Sequence, residues 1–155
     1  HEFDGSAMEL IKRADGKAPL LVELIFKHFP GFQDETMIGA DRIVFLKRAQ
    51  IFVGDVNAAL KLNLKDMDQL TTFADYRVPQ ILRHYNILEY SPDLTTIVDT
   101  GKEIVRDSGD EASIRAATVV GVEELVRFLN LDKALATSGE PFTDVNVDWY
   151  LWQVG

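Results

Sequence analysis

The chain contains no cysteine. That removes a disulfide framework, a thiolate nucleophile and a cysteine-based zinc site from consideration. Histidine is scarce as well. The three histidines show no metal-ligand spacing, so no dedicated metal site is expected. Positive charge is in deficit, with 16 lysines and arginines against 25 aspartates and glutamates, a net charge of −9 and a pI near 4.7. Proteins that grip a long nucleic-acid backbone concentrate positive charge, so no long nucleic acid is expected as a partner. A nucleotide with one phosphate remains compatible, because it needs only one or two local cations. No apolar run approaches the roughly 20 residues that span a bilayer, and no membrane partner is expected. The opening His1-Glu-Phe-Asp-Gly5 is acidic and short, unlike a secretory signal. Neither internal repeats nor low-complexity tracts occur. What is present is a chain of 155 residues, 46% of them hydrophobic, long enough for one sizeable core. The expected class is a soluble cytoplasmic protein without a cofactor.

Helical periodicity runs nearly throughout, and the spacing predicts an all-α, compact multi-helix unit spanning residues 1–155. Ser6 caps a short first helix through Ile11, stopped by Asp15-Gly16. Pro19 opens a second that ends before Pro30-Gly31. Phe32 to Asp41 reads as a connecting loop. Arg42 to Leu60 reads as a core helix, apolar almost all the way round through Ile43, Val44, Phe45, Ile51 and Val53. The same Val, Ile and Phe residues also suit a strand; length favours the helix. Asp66 with Gln69 suggests a short capped helix ending near Phe73. Ser91-Pro92 opens another, and Asp99-Thr-Gly101 interrupts or kinks it before Lys102 to Arg106. Ser108-Gly-Asp-Glu111 is a capping box for a long helix from Asp110 to Leu129, with its apolar face at Ile114, Ala117, Val120, Val122, Leu125 and Phe128 and with Arg115 off that face. Asn130 to Pro141 reads as a loop with a helical turn over Lys133–Ala136. The last helix, from Asp144 to about Val154, carries Trp149, Tyr150 and Trp152. Aromatics at a chain end commonly dock a terminal helix, which favours the core for all three.

Two features stand out from this pattern. In Leu70-Thr-Thr-Phe-Ala-Asp-Tyr-Arg-Val-Pro-Gln-Ile-Leu82 the chain turns near Tyr76 to Val78, because proline suits a first helical position and disfavours helix just before it. Asp75 then lies at the start of the new helix, close to the positive end of its dipole. The plain reading is a helix cap, a role for which Asp is preferred. The other feature is Lys47, which shares a stripe with Gln50, Gly54 and Asn57 on an otherwise apolar helix. A lysine snorkelling at the core margin is the plain reading there. A contact between Arg48 and Asp55, seven residues on, would be structural. Gly54 would let another backbone approach.

Three segments, taken in order and spacing, carry more than either feature alone: Phe45-Leu-Lys-Arg-Ala-Gln-Ile-Phe-Val-Gly-Asp55, Leu70 to Leu82 as written above, and Asn86-Ile-Leu-Glu-Tyr-Ser91. Together they resemble the queuosine salvage protein family, the queuosine 5'-phosphate N-glycosidases, which release queuine by hydrolysing the bond between ribose and a 7-deazaguanine base. The resemblance runs from about Phe3 to Trp152. It implies the C-terminal half of a longer protein, whose N-terminal half, with a pocket histidine, would complete the site, and an all-α fold related to helix-hairpin-helix DNA glycosylases. It implies that Asp75 is the catalytic aspartate and that Phe73 packs on the base. Lys47 matches a lysine of the family motif and would partner the phosphate or Asp75. Asp148 falls where the family has an acidic residue facing the substrate, with Tyr150 and Trp152 on the same wall. Tyr76 and Arg77 join the substrate-binding set, Arg77 as a phosphate donor. The sequence departs from the family in two places. Glu111-Ala-Ser-Ile-Arg-Ala116 stands where Glu-Val-Glu-Ile-Arg-Ala is usual, and Val56-Asn57 stands where a bulkier aromatic segment is usual.

Such an enzyme passes through an oxocarbenium-like state, which a carboxylate beneath the anomeric carbon stabilises or attacks. A 7-deazapurine has carbon at position 7, so protonation there cannot assist departure of the base. Two other readings compete. One is a non-catalytic helical interaction module in which Asp75 is only a cap. The other is an incomplete fragment of the enzyme.

Overall fold

The first two helices are α1 (Ala7–Arg13) and α2 (Ala18–His28); Ser6 stands at the N-terminal boundary of α1, as expected, but its side chain makes no capping hydrogen bond. Asp15 and Gly16 take left-handed conformations between them, and Pro19 sits in the first turn of α2. The protein is seen here as a computed structural model that describes residues 2–132 and 139–155. The helical turn expected over Lys133–Ala136 lies outside the described residues. More than half of the described residues are helical, in α1, α2, α3 (Lys47–Leu60), α4 (Val78–His84), α5 (Pro92–Asp99), α6 (Gly109–Leu131) and α7 (Asp144–Val154), with short 3-10 turns at Pro30–Phe32 and Met67–Gln69. No helix among the described residues is long and apolar enough to cross a membrane.

The expected all-α class is overturned by an antiparallel hairpin, β1 (Glu35–Ile38) and β2 (Asp41–Val44), joined through Gly39-Ala40. The hairpin occupies the end of the expected loop and the beginning of the expected third helix. Its cause is local. Ile43 and Val44 are β-branched and suit a pleated strand. Gly39 has φ +64 at the first position of a two-residue turn, a conformation glycine adopts without strain. Leu46, at φ +59, breaks the chain direction after the strand, so α3 starts only at Lys47. Thr36 faces inward and is buried, while Met37 faces solvent.

The long helix α6 corrects a second expectation. Of the expected apolar face only Val122 is fully buried; Val120 and Phe128 are 58% and 69% exposed. The buried stripe is instead Ala112, Arg115, Thr118, Gly121 and Val122. Small residues there admit α4 closely: a methyl group placed on Gly121 would lie 3.4 Å from Leu82 Cδ1. Thr118 satisfies its hydroxyl on the Ile114 carbonyl, so polarity on this stripe costs little. At its start, Ser108 Oγ accepts from the Glu111 amide and Glu111 Oε2 accepts from the Asp107 amide. The interruption expected at Asp99-Thr-Gly101 is the end of α5; no helix resumes before α6. Asp66 takes a left-handed conformation without a side-chain cap, and only a 3-10 turn follows it.

Apolar burial includes a main core of α1, α2 and α3 closed by Leu70, Phe73 and Val145, a second between α4, α6 and α7 around Val78, Leu82, Val122 and Leu151, and a small third of Phe45, Ala74 and Ala112. Helix α7 feeds the first two, because Val145 and Val147 point to different sides. Its aromatics are not core residues: Trp149, Tyr150 and Trp152 are 38%, 66% and 50% exposed. Trp149 and Phe73 cover Gly54, where an added methyl group would lie 3.2 Å from Trp149 Cζ2 and 3.6 Å from Phe73 Cζ. Gly54 therefore admits aromatic rings rather than a backbone.

Gly39 provides a clean check on the hairpin, since a methyl group there meets nothing within 4 Å and acts only through its φ of +64. Gly39→Ala should destabilise the chain by about 1–2 kcal/mol in urea denaturation. An unchanged midpoint would mean that the turn relaxes and that Gly39 does not fix it.

Candidate active site

Residues 71–75 run as an extended strap between the main core and a surface cleft, and a different helix holds each step. Buried Gln50 on α3 accepts from the Thr71 amide (2.8 Å) through Oε1 and donates through Nε2 to Phe45 O (3.1 Å) and Thr71 Oγ1 (3.0 Å). Buried Asp148 on α7 accepts through Oδ1 from the Thr72 hydroxyl and from the Phe73 amide (2.9 Å). Arg115 on α6 donates through Nε to Ala74 O (2.9 Å). Asp75 then accepts through Oδ1 from the Arg77 and Val78 amides, both at 2.9 Å, and turns the chain into α4. An extended segment away from a sheet leaves backbone groups to be satisfied, and side chains from three helices satisfy these.

The cap uses only one carboxylate oxygen of Asp75. The residue is half-buried and lines a cleft of about 410 Å³ together with Lys47, Tyr76, Asp34, Arg106 and Arg115. Lys47 Nζ stands 5.7 Å from the centroid of the Tyr76 ring and forms no ion pair among the described residues. Arg48 lines the same cleft, with its guanidinium on Gly31 O (2.9 Å) and over Phe32 rather than on Asp55. Arg106 is almost wholly exposed at the rim. Lys47 and Arg48 thus line the cleft without an anionic partner among the described residues, Arg48 held by Gly31 O and Phe32 and Lys47 beside Tyr76, with the Asp75 carboxyl in the same lining.

Opposite behaviour of two other carboxyls frames this pair. Burial pushes the Asp148 carboxyl up, to about 6, and the negative charge of Asp75 adds to the rise; the Thr72 and Phe73 hydrogen bonds and the Lys47 charge pull it partly back. For Asp34 burial also pushes upward, but the hydrogen bonds from Arg115 and the Lys47 amide, with the charges of both, outweigh it, and its pKa lies below the ordinary value. No cluster of three or more His, Asp or Glu side chains suited to a metal ion occurs among the described residues.

Of the residues singled out in the sequence, the cleft brings together Lys47, Asp75 and Tyr76. Phe73 is 4% exposed and packs in the main core, directly behind the strap. Asp148 is 2% exposed and supports the strap from the same side. Arg77 turns the other way: its guanidinium lies 4.6 Å from the Trp152 ring centroid and donates to Gly155 O (2.9 Å), and its buried Nε has no partner among the described residues. Tyr150 lies on the solvent face of α7. Sequence reasoning missed Asp34 and misplaced Arg115, which is 9% exposed and pairs with it at 2.6 Å. A signal existed for Arg115: it shares a helical stripe with Ala112, Thr118 and Gly121, small residues that mark a close-packed face. No local signal marked Asp34.

Comparison with known proteins agrees with the motif reading. The profile described as queuosine salvage protein matches residues 1–155. A queuosine 5'-phosphate N-glycosylase/hydrolase from Dictyostelium discoideum is 41% identical over 157 residues, covering 99% of this chain and 47% of that protein. Proteins of the same name from Sphaerobacter thermophilus and Bos taurus are 40% and 35% identical, over 99% and 97% of this chain and 47% and 46% of their own lengths. The chain spans about half the length of the curated relatives it matches. The matches follow nearly the whole chain and give no support to the expectation that an N-terminal half in particular is missing from it. The chain belongs to the queuosine salvage protein family.

Proposed function

We propose that the cleft serves hydrolysis of the N-glycosidic bond of queuosine 5'-phosphate, releasing queuine. The observation that carries this reading is the division of labour at Asp75. One oxygen is committed to the α4 cap, and the residue nevertheless lines a cleft shared with Lys47. The cap fixes the carboxyl, so its other oxygen acts without reorganisation on a sugar placed in the cleft. Positive charge that develops on the anomeric carbon is then stabilised at its source, and a covalent sugar ester is the alternative with the same atoms. Carbon at position 7 of the base withholds one protonation site, which puts more of the burden on charge at the sugar. Lys47, lacking an anionic partner, is suited to the 5'-phosphate, with Arg48 and Arg106 on the same cleft. Arg77 is not assigned to the phosphate, because its guanidinium is engaged by Trp152 and Gly155. Asp148 acts from behind, holding Thr72 and Phe73 so that Asp75 keeps its place.

The half-length match to the relatives favours a second reading, in which this chain supplies only part of the enzyme's site. Incubation with queuosine 5'-phosphate separates the two. Release of free base by the chain alone supports the first. Saturable binding without release supports the second, and an absence of both removes the glycosidase reading.

Within an active protein, Asp75→Asn should leave the melting temperature within a few degrees, since Asn caps about as well as Asp. Turnover should fall by at least about a hundredfold, the usual consequence of losing one preorganised electrostatic partner. Turnover within a few-fold of the parent would return Asp75 to the role of a cap.

The support behind Asp75 titrates separately. The Asp148 carboxyl, raised from 3.8 to about 6 by burial, holds its proton more tightly in the folded than in the unfolded chain. Its ionisation therefore weakens the fold progressively as pH rises from 3.8 to about 6, and fully above that. Asp148→Asn keeps an acceptor for Thr72 and Phe73 and removes this penalty. Its stability relative to the parent should rise with pH over that window, by roughly 3 kcal/mol. Thermal melts that differ by the same amount at both ends of the window would exclude Asp148 as the titrating group.

A further inference from the structure

We propose that Arg115 is the positioning residue of the cleft, holding Lys47 and Asp75 in register through a single guanidinium. The proposal rests on the glycosidase reading for its catalytic consequence, although the structural coupling it describes stands apart from that reading. Each arm of the guanidinium reaches a different part of the site. Nε donates to the carbonyl of Ala74, the residue immediately before Asp75, at 2.9 Å. Nη2 donates to Asp34 Oδ2 at 2.6 Å. That same Asp34 oxygen accepts the amide of Lys47, the first residue of α3, at 2.9 Å. Nη1 lies 3.6 Å from Glu111 Oε1 one turn earlier on α6. The plane of the group lies over Phe45, 4.1 Å from the ring centroid, and the Phe45 amide in turn donates to Asp34 O (2.9 Å).

Lys47 and Asp75 therefore share one anchor, although 28 positions separate them and Arg115 follows Asp75 by 40. Burial makes the anchor stiff: Arg115 is 9% exposed, and the pair has little solvent to exchange with. The fork geometry is essential. Arginine presents donors in a fixed planar array, whereas lysine carries a compact charge that cannot span a carbonyl on one side and a carboxylate on the other. Loss of either arm frees one wall of the cleft relative to its neighbour. A misplacement of about 1 Å between reacting groups costs on the order of a hundredfold in rate.

Arg115→Lys is the main test, with Asp34→Asn as a second variant that keeps an acceptor for the Lys47 amide but removes the ion pair. Amide hydrogen exchange reads the coupling without any need for catalysis. Exchange at Lys47, Arg77 and Val78 should accelerate together, at least about tenfold, while Leu21 and Ile25 in α2 keep parental protection. Parental protection at all three amides in a folded Arg115→Lys chain would overturn the proposal, and so would uniform acceleration that includes α2. In the protein that releases base, kcat should fall about tenfold to a hundredfold with KM within about threefold. Ethylguanidinium should partly restore kcat to Arg115→Ala and should not restore it to Asp75→Asn. A parental kcat in Arg115→Lys would also overturn the positioning role. Failure of the glycosidase reading has a different signature: Asp75→Asn would retain base release, and the exchange data alone would then decide whether Arg115 couples the two walls.

Discussion

One largely buried ion pair, Arg115 with Asp34, ties together the start of α3, the strap before α4 and the middle of α6. Asp34 precedes β1 and receives the first amide of α3; Arg115 sits mid-way along α6 and holds the strap before α4. Isolated burial of either charge would be unfavourable by several kcal/mol, which obliges each to keep the other. The geometry follows from that obligation. With Asp34 drawn to Arg115, the hairpin lies against α6, and Thr36 donates to Asp107 O just before that helix (3.3 Å). With Arg115 drawn to Ala74 O, the strap cannot drift from α6, and Asp75 opens α4 at a fixed point. Hydrophobic burial supplies most of the stability, but it is non-directional. The polar anchors give the cleft its particular shape.

The strap shows the same principle at finer grain. Thr71, Thr72, Phe73 and Ala74 are held by Gln50, Asp148 and Arg115 from three helices, so the segment has the constraint of a sheet strand without a sheet. Phe73 adds an apolar anchor in the main core. Held on both sides, the strap delivers Asp75 with its cap already formed. Capping and the proposed catalytic role are therefore compatible in one residue. The cap immobilises the carboxyl, and immobilisation is what makes a carboxyl effective in stabilising charge that appears only in a transition state.

How far the sequence revealed this depends on the range of the interactions. Helix starts fixed by neighbouring residues were legible: Pro19 for α2, Pro79 for α4, Ser91-Pro92 for α5 and Ser108 for α6. The hairpin was not, because four-residue strands at Glu35–Ile38 and Asp41–Val44 are too short for alternation to outweigh a helical run, and Ile43 to Phe45 fit either form. The buried face of α6 was misread for a related reason. Its small residues give a weak apolar signal, while exposed Val120 and Phe128 give a strong one. Lys47, Asp75 and Tyr76 were found through the family motif, and their meeting in one cleft is a tertiary fact. The partnership of Asp34 with Arg115, 81 positions apart, has no local signature at all.

The three aspartates around Lys47 illustrate how environment assigns function to one residue type. Asp34 has a guanidinium and an amide as partners and is held below the ordinary carboxyl range, so it serves as a permanent anion on which α3 and α6 meet. Asp148 has a hydroxyl and an amide as partners, and burial lifts it to about 6, so it serves as an acceptor that ionises less readily than an ordinary carboxyl. Asp75 is half-buried, with an amide pair on one oxygen and the cleft beside it. Separating carboxyls by environment is how acid, base and electrostatic roles are divided at neutral pH. Here ion pairing also bears on the acidity around the cleft proposed for an anionic nucleotide. Asp34 is neutralised by its ion pair with Arg115. Lys47 therefore faces a cleft in which the charge of one neighbouring carboxylate, Asp34, is already balanced.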